Sequence, residues 1–108
     1  MALTPTFAAL ADPTRRSIVT RLSRGEATVG ELAEPHDMSL PAITKHIRVL
    51  VDAGLVTRRK TGRTVVCTLS TTHLTEARDW FDDITSYWNA TLDRLDQFLT
   101  DDDTQEGS

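Results

Sequence analysis

Six basic residues stand between positions 41 and 75: Lys45, Arg48, Arg58, Arg59, Lys60 and Arg63. Asp52 is the one acid in that stretch, which therefore carries +5. The flanks are acidic, −1 over residues 1–40 and −8 over residues 76–108, and the 108-residue chain totals −4. A basic middle beside an acidic final third suits a molecule with one face for phosphate. Lys45 has the reach to donate to guanine O6 and N7, and the methyl groups of Ala42 and Thr44 match a thymine methyl. Pro41 and His46 stand beside them as further base-reading or groove-wall residues. Arg48 is placed for a phosphate, and Ser39 either for a phosphate or for the cap of its own helix. Arg58 and Lys60 could meet phosphate, with Arg63 entering a minor groove. The same charges on an edge strand would also keep the sheet from pairing with other chains.

Other chemistry finds little purchase. No nucleophile, base and orienting acid occur together, no glycine-rich phosphate loop is present, and no paired catalytic acids stand out. An enzyme is therefore not expected. A metal site would need clustered thiolates or imidazoles. The chain has one cysteine, Cys67, and its histidines, His36, His46 and His73, show no ligand spacing, so neither metal nor cofactor is expected. Asp79, Asp82 and Asp83 read as a solvated acidic face. Cys67 reads as a small buried strand residue rather than a redox switch. Trp80, Tyr87 and Trp88 could line a pocket for an unidentified small-molecule effector, or serve as the core between two subunits. No run approaches about 18 uncharged apolar residues, so no membrane span is expected. The Met1–Pro5 start lacks the basic and apolar regions of a signal peptide, and with the lone cysteine this points to the cytoplasm.

Holding the basic residues in place requires particular elements. Ser39 precedes the first periodic apolar residue as an N-cap, Pro41 falls in the first turn, and Gly54 stops the helix. Leu40, Ile43, Ile47 and Leu50 share one face; Pro41, Lys45 and Arg48 share the opposite one. Upstream, Thr28 and Glu31 form a capping box that opens a brief helix ended by Pro35. Two short helices joined by a turn make a helix-turn-helix. Before them, residues from about Thr4 to Leu10 suggest a short helix. Asp12 and Pro13 open another that runs to about Arg24. After Gly54 the period falls to two: Val56–Thr61 and Thr64–Leu69 flank Gly62-Arg63 as a β-hairpin. From about Thr71 to Leu99 the helical period returns, with Leu74, Ala77, Phe81, Ile84, Trp88, Leu92, Leu95 and Leu99 stepping by three and four. A helix of about 40 Å carries more apolar stripe than one small domain covers, so a second subunit is the simplest cover. Phe7 and Leu10 join Leu74, Phe81, Ile84, Trp88, Leu92 and Leu95 as the residues expected to pair the subunits.

These residues resemble the ArsR/SmtB family of bacterial winged-helix regulators. The likeness rests on Phe7 to Arg16, on Gly30 to Ala33, on Ser39 to Leu50 and on Ala53 to Val56, and it covers roughly residues 6–99. Glu34 to Ser39 is most similar to a metal-independent subgroup. The resemblance implies a homodimer, paired through its first and last helices, that binds a palindromic double-stranded operator and represses transcription. The fold expected is mainly α: a winged helix-turn-helix of about five helices with a two-stranded β-hairpin wing. One domain is expected over residues 1–99, and residues 100–108 form an acidic tail expected to be disordered. Two other readings remain open from the residues alone. One is a winged helix that docks its basic face on an acidic protein; the other is a sensor gated by a small molecule at the last helix.

Overall fold

Asp12, Thr28 and Ser39 each sit in extended backbone immediately before a helix, with ψ of 132°, 160° and 155°. In each case the side-chain oxygen accepts from the N–H three residues on: Arg15 at 3.0 Å, Glu31 at 3.1 Å and Ala42 at 3.3 Å. Each cap satisfies one of the backbone donors that a helix start leaves without an intrahelical partner. The computed structural model describes residues 2–106 and bears these three starts out. The helices are α1 (Leu3–Ala9), α2 (Pro13–Leu22), α3 (Val29–Ala33), α4 (Leu40–Asp52) and α5 (Thr72–Glu106). The strands are β1 (Ala27–Thr28), β2 (Val56–Thr61) and β3 (Thr64–Leu69).

The Asp-Pro-Thr-Arg-Arg run does more than open α2. The Arg15 Nε–H donates to the Ala9 carbonyl at 2.6 Å, and Arg16 Nη1 donates to the Leu10 carbonyl at 2.9 Å. The two arginines thereby occupy carbonyls that the end of α1 leaves free. At the other end of the motif, α4 stops in a Schellman turn. Gly54 lies at φ +78°, its N–H donates to Val51 O, and the Leu55 N–H donates to Leu50 O at 2.9 Å. Leu50 and Leu55 are both fully buried, the apolar contact that accompanies this turn.

The hairpin expected from the sequence is present over the expected residues, and it belongs to a three-stranded antiparallel sheet of order β1-β3-β2. The two-stranded wing stands, and β1 adds to it a third strand that the sequence did not indicate. β1 has only two residues, paired Ala27↔Cys67 and Thr28↔Val66, too short to show an alternating pattern. Between β2 and β3, Gly62 has φ +61° while Arg63 keeps a negative φ, the pattern of a type II′ turn.

The core of the first part of the chain draws on α1 to α4, on all three strands and, through Leu55, on the turn after α4. Ile18 and Leu22 of α2, Leu32 of α3, Ile43, Ile47 and Leu50 of α4, Val56 of β2 and Cys67 of β3 form one buried cluster. The chain divides into two compact units, Met1–Ala77 and Arg78–Ser108. The division falls inside α5. Helical backbone continues past Leu99 to Glu106; Gly107 and Ser108 lie outside the described residues.

Candidate nucleic-acid interface

The burial of α4 divides its residues as their spacing requires. Ile43, Ile47 and Leu50 face the core, whereas Pro41, Lys45 and Arg48 are exposed on the opposite side and Ala42 and Thr44 are half-buried at its edges. Leu40 departs from the expected pattern. It shares the helical face of Ile43 and Ile47, yet it is 55% exposed. It is the first residue of the helix, and its side chain opens onto the groove between α4 and the wing. Two polar groups are occupied within the helix. The Ser39 hydroxyl oxygen accepts from Ala42 N–H, and the Thr44 hydroxyl donates to the Leu40 carbonyl at 2.9 Å. The cap reading of Ser39 therefore holds, and Thr44 presents its surface with the hydroxyl proton already used.

A groove of about 500 Å³ runs between α4 and the wing, lined by Leu40, Thr44 and Ile47 on one side and by Arg58, Arg63, Thr64 and Val65 on the other, with Thr28 to Gly30 at its end. Strand register explains which wing cations reach it. Arg58 pairs with Cys67 and Lys60 with Val65, so both stand on the sheet face turned to the helices, while Arg59 pairs with Val66 on the other face. Arg59 is drawn to Glu26, Nη2 to Oε2 at 3.5 Å. The sequence marks Thr28, Gly30 and Leu40 for other reasons and does not place them at a site. The capping box located Thr28, but its place at the groove follows from the strand pairing of β1 with β3.

The His46 ring is half-buried and its Nδ1 lies toward α2, 3.3 Å from Arg15 Nη1 and 3.8 Å from Asp12 Oδ2. The Arg15 backbone N–H holds the Asp12 carboxyl below its ordinary pKa, against a smaller upward push from burial. Hydrogen bonds with Thr28, first its backbone N–H and then its hydroxyl, do the same for Glu31. Burial pushes the Cys67 thiol up, against a smaller opposing pull from Arg58.

A helix-turn-helix domain model matches residues 10–59, from the end of α1 into β2. The transcriptional repressor SdpR of Bacillus subtilis is 35% identical over 74 residues, which is 68% of this chain and 82% of SdpR. The HTH-type transcriptional regulator Rv2034 of Mycobacterium tuberculosis is 41% identical over 91 residues, 84% of this chain and 82% of that protein. The crystal structure of the ArsR family transcriptional regulator RHA00566 superimposes with a TM-score of 0.77 at 44% identity, covering 82% of this chain and 98% of that one. The chain belongs to the ArsR/SmtB family. It is a winged helix-turn-helix transcriptional regulator that binds DNA, not an enzyme.

Within this ArsR/SmtB regulator α3 and α4 are the helix-turn-helix and β2–β3 the wing. The residues expected to pair subunits fall into two groups. Leu10 and Leu74 are partly buried against their own chain's core, and Phe7 is half-buried. In the second unit Phe81, Ile84, Trp88, Leu92 and Leu95 are exposed, Trp88 at 58%, along one side of α5. Trp80 and Phe81 pack edge to face, their ring centres 5.1 Å apart. Among the described residues no three His, Cys, Asp or Glu side chains gather as metal ligands, and no helix is long and apolar enough to cross a membrane.

Proposed function

We propose that this regulator represses transcription in the cytoplasm as a homodimer on a palindromic operator, α4 of each subunit entering a major groove. The observation that carries this reading is one surface. Pro41, Lys45 and Arg48 stand exposed on α4, and beside them Arg58 and Arg63 line the groove whose α4 wall is Leu40, Thr44 and Ile47. Lys45 and the methyl groups of Ala42 and Thr44 read base edges; Arg48, Arg58 and Lys60 meet phosphate; Arg63, at the wing tip, enters the adjacent minor groove. The pairing of subunits is supported by Phe81, Ile84, Trp88, Leu92 and Leu95, an exposed apolar stripe that a second copy would cover. Repression is supported by the likeness to SdpR, named a transcriptional repressor.

Selecting bound fragments from a genomic DNA library tests it. A two-fold symmetric site should emerge with half-sites about 34 Å apart. It should be preferred over random duplex by at least about a thousandfold, with log affinity falling linearly as log salt rises. Equal binding to random duplex, or no salt slope, would overturn the reading.

A further inference from the structure

The Arg15 guanidinium touches three groups on two other elements. Its Nε and Nη2 donate to the carbonyls of Ala9 and Ala8 at the end of α1, at 2.6 and 3.3 Å, and its Nη1 lies 3.3 Å from Nδ1 of His46 in α4. A guanidinium has donors only, so His46 Nδ1 must be the acceptor in that contact. The imidazole is then neutral, with its proton on Nε2. We propose that Arg15 positions the recognition helix, by clamping His46 as a hydrogen-bond acceptor against the end of α1.

The clamp has a built-in alternative. Asp12 Oδ2 stands 3.8 Å from the same nitrogen. A proton arriving at Nδ1 turns it from acceptor to donor, so it faces the Arg15 donor as a second cation and is drawn to the Asp12 carboxylate instead. Asp12 and Arg15, both from α2 and its cap, are the charged groups placed on the ring. α1 packs its carbonyls there and has no ionisable side chain. One side chain of α4 thus has two partners, and its protonation state selects between them. His46 lies one residue from Lys45 and two from Arg48, so the choice acts on the helix that presents both.

This inference rests on α4 being the DNA-reading helix, and the test separates the two. Imidazole nitrogen NMR on the free, full-length protein reports the tautomer without DNA. The expected result is His46 with its proton on Nε2 at about neutral pH, and loss of that tautomer preference in Arg15→Gln. A His46 that carries its proton on Nδ1, or an unchanged tautomer in Arg15→Gln, would overturn the clamp. With the duplex enriched from genomic DNA as probe, preference over random duplex should fall by about ten- to a hundredfold between about pH 7.5 and about pH 5.5, the cost of one charge-assisted hydrogen bond. Taking the ratio cancels the extra attraction that any protonated histidine gives to all DNA. Arg15→Gln should start lower and stay flat across that range, and His46→Gln, which also has no titrating ring, should be flat too. Either variant keeping the wild-type pH profile would overturn the proposal.

Discussion

Lys45 and Arg63 carry the same charge at different places on one surface, and they should fail differently when removed. Lys45 is exposed on the front of α4 and Arg63 is at the tip of a hairpin; in the proposed complex the first meets base edges and the second backbone or minor groove. Lys45→Ala should cost about 1–3 kcal/mol of discrimination between the selected site and random duplex. Arg63→Ala should weaken binding to both sequences evenly and flatten the salt slope by about one unit. Competition binding at several salt concentrations checks both, and an Arg63→Ala variant that loses only site preference would contradict the division of roles. These positions were legible in the sequence because each depends on local rules, helical spacing for Lys45 and a glycine turn for Arg63. The contacts of His46 were not. The wheel put it beside Lys45, and only the approach of α2 brings Asp12 and Arg15 to its Nδ1.

At the scale of elements, the ends of helices carry much of the specification. Gly54 is held at φ +78°, and a Cβ there would lie 2.7 Å from Cδ2 of His73. Gly54→Ala should therefore cost more than the ~1–2 kcal/mol of left-handed backbone alone, seen as a lower urea midpoint with an unchanged slope. The caps give a second prediction, in acid. Asp12 and Glu31 both have folded pKa values below their ordinary ones. Each contributes stability that is fully present above the unfolded-state value and is lost as pH falls through the lowered folded one. Stability measured by urea unfolding between about pH 5 and about pH 3 should fall, and it should fall less steeply in Asp12→Asn and Glu31→Gln. Equal slopes in variants and wild type would show that these caps do not titrate with folding. Most elements were readable because caps, prolines and glycines act on their nearest neighbours. β1 escaped because a two-residue strand exists only through its partner, β3.

The whole molecule is a basic reading surface on one compact unit and an apolar, acid-flanked helix in the other. A dimer should depend on the exposed stripe of α5. Trp88→Glu should weaken association by at least about 2 kcal/mol, the size of an interface hot spot. Analytical ultracentrifugation would show monomer, with the thermal unfolding of the first unit preserved because Trp88 belongs to the second. Operator affinity should fall with it, since each subunit then binds one half-site. A Trp88→Glu protein that remains dimeric would place the interface elsewhere.

Period and punctuation in the sequence determined the order of helices and hairpin, the faces of α4 and the basic middle of the chain. Those depend on interactions spanning a few residues, which the sequence states directly. The third strand, the exposure of Leu40, the groove joining Thr28 to Arg58 and Arg63, and the turning of His46 toward Arg15 were decided by tertiary structure. Each depends on how elements far apart in sequence pack together, which no local pattern records.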